Sequence, residues 1–197
     1  MKASEIIKIG SNLLKEKKIQ SHILDSELLL SKTLNKSREE ILINLDQKIG
    51  KKNISTFKEF LQRRSKCEPI AYILEEKEFW SNKFFVTKDT LIPRPETELL
   101  VEKLLKMYDG KKISILDIGT GSGCIIISLL YNLKKSKGIG IDISKKAISA
   151  AKKNAFRYKL FNRIKSSGKG GNPGQWSARK AQMLAKEYKA KGGGYRN

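Results

Sequence analysis

The stretch Ile115–Gly123, with the sequence ILDIGTGSG, decides the fold of this chain because it joins a strand to a glycine-rich turn. The apolar run of residues 113–116 is short enough for a buried parallel strand, and Asp117 follows it. Glycine occupies every second position of residues 119–123, and the apolar run 124–131 predicts a helix. A strand, a glycine turn and a helix in this order let the backbone approach a ligand closely. The pattern therefore predicts a ligand-binding turn of an α/β domain.

The spacing of these glycines helps to identify the ligand. A dinucleotide fingerprint requires glycines at relative positions one, three and six, and the sixth position here is Cys124. Downstream, the apolar strand Gly138–Ile141 ends at Asp142, where an acidic side chain can accept hydrogen bonds from ribose hydroxyls. The spacing disfavours a dinucleotide site. The alternative to a cofactor site is a glycine-rich turn of some other α/β domain.

Three blocks of the sequence resemble one family. The acid and three glycines of residues 117–123 resemble the first motif of S-adenosylmethionine-dependent methyltransferases. The segment LIPRPETELLVE, residues 91–102, resembles the linker of release-factor glutamine methyltransferases. Pro69, Tyr72 and Ile73 are similar to that family's Pro-x-x-Tyr-Ile pattern. The resemblance covers about residues 1–164 and implies methylation of the glutamine side-chain amide in the Gly-Gly-Gln motif of peptide-release factors.

The same resemblance implies S-adenosylmethionine as cofactor, a release factor as partner, and two sets of site residues. The implied cofactor-binding residues are Asp117, Gly119, Thr120, Gly121, Ser122, Gly123 and Asp142. Asp117 would face the cationic methionine end of the cofactor. The residues implied at the border of the pocket are Pro93, Arg94, Pro95, Glu96 and Thr97.

No catalytic residue is assigned, because the family's Asn-Pro-Pro-Tyr tetrad, which grips the substrate amide, occurs nowhere in the 197 residues. The nearest candidate, Asn172-Pro173, follows a segment without an apolar strand and is predicted to be a turn. The sequence thus favours a methyltransferase with impaired activity. Two alternatives stay open: a non-catalytic protein that binds a release factor or nucleic acid, and a recombined or frameshifted fragment.

Composition limits the remaining classes of function. Hydrophobic residues make up 39% of the chain, which supports a buried core, but no apolar run approaches the length of a membrane span. The first residues lack a secretory signal, so a cytoplasmic location is expected. Cys67 and Cys124 are too few for a disulfide framework or a zinc site. His22 is the only histidine, so no metal site is expected, and it is predicted to lie on a helix surface.

The predicted architecture is α+β, with a helical bundle, a β-hairpin linker, a truncated Rossmann-like α/β methyltransferase domain and a basic C-terminal helix. The corresponding boundaries are 1–68 for the helical domain, by resemblance substrate-recognising, 69–90 for the linker, 91–164 for the methyltransferase domain and 165–197 for the tail. Predicted helices cover 4–17, 23–34, 51–64, 97–108 and 144–156, with a capping box at Ser37 and Glu40. Residues 70–87 alternate and predict the hairpin.

Two further expectations concern the second half of the chain. Ala147, Ile148, Ala151 and Ala155 are predicted to face the sheet. With two predicted strands after Lys112, the sheet should keep an open edge and an incompletely covered apolar face.

The tail differs from the rest in charge. The formal net charge is +21, and residues 152–197 contribute +12 of it through 13 basic residues and one acidic residue. A glycine-rich linker precedes a predicted helix that begins near Ser177 and carries an apolar seam of Ala181, Leu184 and Tyr188. This segment is similar to a short basic module at the ends of small phage-encoded proteins. It predicts either contact with RNA or DNA, through Trp176, Arg179, Lys180 and Lys186, or a solvated helix docked by its seam.

Overall fold

The computed structural model describes residues 1–167, 169, 172, 174, 175 and 177–191. It combines helices with two small sheets in an α+β fold, as predicted, and the chain divides into two compact units, Met1–Glu76 and Lys77–Asn197. The helices of the first unit are α1 (Ala3–Glu16), α2 (His22–Leu34), α3 (Arg38–Ile43), α4 (Lys51–Ser65) and α5 (Ile70–Leu74).

Apolar side chains at helical spacing on α1, α2 and α4 form the core of the N-terminal unit, among them Leu14, Leu29 and Phe57. The predicted capping box is confirmed: Ser37 Oγ accepts from Glu40 N at 3.1 Å, and Glu40 Oε2 accepts from Ser37 N at 2.7 Å. These reciprocal bonds satisfy two backbone donors at the start of α3, so a local sequence signal was sufficient to place this helix end.

Two details of this unit differ from the sequence prediction. His22 begins α2 and is half-buried, with its Nδ1 2.8 Å from Ser11 Oγ, so it links α1 and α2 instead of lying on the surface. The alternating residues 70–74 form α5 and not the start of a hairpin, because Ile73 is buried in the helical core. The hairpin itself is shorter than predicted, with strands β1 (Glu76–Phe79) and β2 (Asn82–Phe85).

The second unit continues as strand, helix, strand and helix after an initial helix. Its elements are α6 (Glu98–Tyr108), β3 (Ser114–Ile118), α7 (Cys124–Asn132), β4 (Lys137–Ile141), α8 (Lys145–Ser166) and α9 (Ala178–Ala190). A 3-10 turn at Pro95–Thr97 precedes α6. Strands β3 and β4 pair in parallel, with Leu116 opposite Ile139 and Asp117 opposite Gly140. This is the Rossmann-like arrangement that the glycine motif predicted.

The two faces of the β3–β4 sheet differ in cover. One face packs on α7, where a Cβ added at Gly138 would lie 2.8 Å from Ile126 Cδ1. The other face consists of Leu116, Ile118, Ile139 and Ile141, which are 44–75% exposed. Each strand pairs only with the other among the described residues, so each keeps an open edge. The expected open edges and uncovered apolar face are therefore confirmed.

Helix α8 ends ten residues later than predicted, and α9 packs against the added part. Tyr188 and Leu184 of α9 contact Leu160 and Ile164 of α8, and the rings of Phe156 and Tyr188 stack with centroids 6.2 Å apart. Leu184 and Tyr188 of the apolar seam thus dock on α8 and not on the sheet. Ala155, which was predicted to face the sheet, is exposed, and Asn154 takes its place on the buried side.

Candidate functional site

Residues 119–123, here called the glycine loop, connect β3 to α7 in a conformation that explains its glycines. Gly119, Gly121 and Gly123 have φ angles of +76°, +55° and +78°, which residues with a Cβ rarely adopt. The N–H groups of Gly119 and Thr120 both donate to the Ile141 carbonyl at 2.9 Å. The loop is therefore tied to the end of β4, next to the position of the second predicted acid.

Both predicted acids take part in the hydrogen bonding of the loop. Asp117 Oδ2 accepts from Thr120 Oγ1 at 2.7 Å. Asp142 Oδ1 accepts from Ser144 N and Asp142 Oδ2 from Gly121 N, each at 2.9 Å. The structure thus brings the seven predicted cofactor residues together at the carboxyl ends of two parallel strands, where open α/β sheets bind ligands.

The charge of Asp142 follows from the same contacts. Hydrogen bonds from the N–H groups of Ser144 and Gly121 hold the pKa of Asp142 below its usual range. The side chain is therefore a carboxylate at neutral pH. Each carboxylate oxygen offers about two acceptor sites, so one such site on each oxygen is left for a ligand hydroxyl.

Asn154 of α8 is a residue of this region that sequence reasoning missed. Its amide donates to the carbonyls of Ser122 at 2.8 Å and Phe85 at 2.9 Å, and its Oδ1 accepts from Phe85 N at 2.8 Å. Asn154 is buried, and it joins the glycine loop to the end of β2. A sequence signal existed: Asn154 follows Ala147 by seven residues and so shares its helix face.

The residues predicted at the pocket border are not brought to the glycine loop by polar contacts. Pro93 is buried, whereas Arg94, Pro95 and Glu96 are exposed. Thr97 N donates to the Arg94 carbonyl at 3.1 Å within the turn that starts α6. Among the described residues, no hydrogen bond or ion pair joins Pro93–Thr97 to residues 119–123 or to either acid.

The tail residues predicted to contact nucleic acid separate into two groups. Arg179 and Lys186 are exposed on α9, and their role stays a prediction. Lys180 is buried, and its Nζ donates to the carbonyls of Asn172 at 2.7 Å and Gln175 at 3.0 Å. The prediction for Lys180 is therefore wrong, because its ammonium group is withdrawn from solvent. Trp176 lies outside the described residues.

Metal binding, thiol chemistry and membrane insertion each have a structural requirement that can be checked at the described residues. No group of three or more His, Cys, Asp or Glu side chains there could hold a metal ion. Burial raises the pKa of the Cys124 thiol at the start of α7, which keeps the thiol protonated at neutral pH. Across the described residues, none of the helices has both the length and the apolar character needed to cross a bilayer.

The Gly123→Ala substitution should destabilise the C-terminal unit by about 2–5 kcal/mol. The new Cβ would lie 2.8 Å from Ile127 Cδ1 and 3.3 Å from Ala151 Cβ, at a φ of +78°. The left-handed conformation costs about 1–2 kcal/mol and overpacking about 1–3 kcal/mol. Denaturant unfolding measures the loss.

Gly119→Ala is the matched control, because it has a similar φ and open space, and we expect it to lose only about 1–2 kcal/mol. Equal losses would show that packing at Gly123 is not tight.

Comparisons with known proteins agree with a helical N-terminal unit and a methyltransferase-like glycine loop. Residues 5–74 match the PrmC N-terminal domain family, and residues 109–165 match a methyltransferase domain family. A release factor glutamine methyltransferase of Buchnera aphidicola subsp. Baizongia pistaciae is 44% identical over 163 residues, covering 82% of this chain and 58% of that protein. The corresponding protein of Leptospira interrogans is 41% identical over 154 residues, covering 77% and 54%.

A bifunctional methyltransferase of Rickettsia conorii is 37% identical over 185 residues, covering 81% of this chain and 35% of that protein. The chain thus spans about half the length of the release factor glutamine methyltransferases that it matches, and about a third of the bifunctional protein. The matched blocks include both the helical unit and the glycine loop. On these grounds the chain is similar, over about its first 164 residues, to the release factor glutamine methyltransferases.

Proposed function

We propose that this chain binds S-adenosylmethionine at the glycine loop and acts in the methylation of the glutamine side-chain amide of peptide-release factors. The observation that carries the proposal is the pairing of the two acids, Asp117 and Asp142, with one loop at the ends of two parallel strands. The family relationship supports the choice of cofactor and of substrate. Release factors act at the ribosome, so we propose the cytoplasm as the place of action.

The residues of the site fit the parts of this cofactor. Asp142 would accept the ribose hydroxyls through the acceptor sites that Gly121 and Ser144 leave open. Asp117 would attract the ammonium group of the methionine end. The backbone of residues 119–123 would approach the cofactor closely, because its glycines carry no Cβ. When bound, S-adenosylmethionine supplies a methyl group on a sulfonium, which makes that carbon electrophilic.

The two remaining parts of the proposal concern the substrate. We propose that the helical unit, whose residues 5–74 match the PrmC N-terminal domain, helps to recognise the release factor. We also propose that Pro93–Thr97 border the pocket, which the family relationship supports. The tail beyond about residue 165 lies outside both family matches, and we assign it no part in the methyl transfer.

Cofactor binding tests the proposal directly. We expect S-adenosylmethionine to bind the wild-type chain with a Kd near 100 μM, about 5–6 kcal/mol, because a sheet of two described strands provides only one wall for the adenine side. Asp142→Asn replaces an acceptor by an amide donor opposite an N–H group, and should weaken binding about tenfold or more. Calorimetric titration measures both.

Asp109→Asn is the matched control, because Asp109 is an exposed carboxylate at the end of α6. We expect its affinity for the cofactor to equal that of the wild type. Equal affinities for wild type and Asp142→Asn would contradict the assignment of the ribose site. A submicromolar, Asp142-dependent Kd would instead show that the pocket is complete.

A further inference from the structure

Thr120 lies at the centre of the glycine loop, and each of its polar groups makes a hydrogen bond. Its N–H donates to the Ile141 carbonyl at 2.9 Å, its carbonyl accepts from Gly123 N at 2.7 Å, and its hydroxyl donates to Asp117 Oδ2 at 2.7 Å. The side chain is buried. The Thr120 hydroxyl is a hydrogen-bond donor with a fixed direction. Its acceptor, Asp117, is one of the two acids of the site.

A glycine on the neighbouring strand β4 leaves the space in which the Thr120 side chain packs. Gly140 lies opposite Asp117 in the parallel register. A Cβ at Gly140 would lie 2.8 Å from Thr120 Oγ1 and 3.1 Å from both its Cβ and its Cγ2. The Thr120 side chain therefore fills the space that a side chain at position 140 would occupy, and this packing holds its hydroxyl against the carboxylate.

The hydrogen bond restricts how Asp117 can present its charge. Asp117 Oδ2 is engaged by Thr120, whereas Oδ1 has no hydrogen-bond partner among the residues that the structure describes. A carboxylate with one oxygen fixed loses its freedom to rotate about χ2. It therefore keeps the remaining acceptor sites in one orientation before a ligand arrives, which lowers the entropic penalty of binding.

We propose that Thr120 is a positioning residue that orients the Asp117 carboxylate toward the ammonium group of the methionine part of the cofactor. This inference rests on the proposed function. Thr120 acts through Asp117 and not by its own contact with the ligand. It is thus a specificity determinant for the amino acid part of S-adenosylmethionine and contributes little to the nucleoside part.

The test uses two substitutions that separate hydrogen bonding from packing, and two ligands that separate the ends of the cofactor. Thr120→Val keeps the shape and removes the hydroxyl, whereas Thr120→Ser keeps the hydroxyl. 5′-Methylthioadenosine has the nucleoside and sulfur of the cofactor but no amino acid part. We expect Thr120→Val to weaken S-adenosylmethionine about tenfold and 5′-methylthioadenosine less than twofold in NMR titrations. Thr120→Ser should stay within about threefold of wild type for both ligands.

Gly140→Ala tests the same prediction independently, because the new Cβ would displace the Thr120 side chain while the hydroxyl itself is kept. It should reproduce the selective loss of S-adenosylmethionine affinity. Equal weakening of both ligands by Thr120→Val, an unchanged affinity, or a Thr120→Ser variant as weak as Thr120→Val would overturn the inference. In each of these cases the wild-type chain still binds S-adenosylmethionine and the proposed function stands. A wild-type chain that binds neither ligand would overturn the proposed function, and the role of Thr120 with it.

Discussion

A polypeptide of these 197 residues should leave the glutamine of a release factor's Gly-Gly-Gln motif unmethylated. The amide nitrogen is a poor nucleophile, because its lone pair is delocalised into the carbonyl. Orientation against the methyl group therefore supplies much of the catalysis, and positioning of this kind is worth about 7–11 kcal/mol. The family's Asn-Pro-Pro-Tyr tetrad, which grips the amide, is absent from the sequence. We expect a rate at the level of the enzyme-free control.

The assay is mass spectrometry of the glutamine peptide after incubation with S-adenosylmethionine. A release factor glutamine methyltransferase that contains the tetrad serves as the positive control on the same substrate. Methylation above the enzyme-free level would contradict the prediction and would direct attention to Asn172. In the structure the Asn172 carbonyl accepts from Gln175 N at 3.2 Å, which is the bond of a turn and not of a strand.

The glycine loop could be predicted from sequence because its causes are local. A left-handed φ at residues 119, 121 and 123 requires glycine whatever the rest of the chain does. The capping box at Ser37 is local for the same reason, since both partners lie within one helical turn. Asp142 lies beside the loop because the carboxyl ends of adjacent parallel strands meet at one edge of the sheet.

The features that the sequence prediction missed depend on tertiary contacts. Ile70–Leu74 contains aromatic and β-branched residues that favour a strand, but burial of Ile73 in the helical core stabilises a short helix there. Helix α8 continues to Ser166 because Leu160 and Ile164 find apolar partners on α9, about twenty or more residues later in the chain. Composition carries no information about a partner helix, so it could not predict this extension.

Lys180 and Asn154 show the same limit for polar residues. A lysine in a basic helix is expected to face solvent, yet Lys180 is buried because two backbone carbonyls satisfy its ammonium group. Asn154 occupies a buried helix position because its amide meets three backbone groups of Phe85 and Ser122. In both cases the partner is backbone from another segment, and the residue types of a sequence do not reveal such partners.

Self-association of the chain should depend on the uncovered face of the β3–β4 sheet. Parallel sheets are normally covered on both faces, and the exposed Leu116, Ile118, Ile139 and Ile141 form one contiguous apolar surface in the parallel register. The open strand edges beside this face offer unpaired backbone groups to a second chain. We therefore expect the wild-type chain to form oligomers or aggregates as its concentration rises.

The double substitution Ile118→Thr and Ile139→Thr should restore a monomer. Threonine keeps a β-branched side chain, so the strands retain their preferred conformation. Each substitution removes about 1 kcal/mol of apolar burial, and two substitutions on each of two associating chains remove about 4 kcal/mol. Pairwise association should then weaken roughly 10³-fold, which sedimentation velocity over a concentration series measures.

The matched control replaces two apolar side chains of similar exposure that lie outside the sheet. Ile43 is 87% exposed and Leu91 is 72% exposed, so Ile43→Thr with Leu91→Thr changes the surface hydropathy in a similar way. If general hydrophobicity drives association, both double variants should become monomeric to the same degree. If the sheet face drives it, as we expect, the control should associate like the wild type. A wild-type chain that stays monomeric at several hundred micromolar would show that the exposed face is not a surface for self-association.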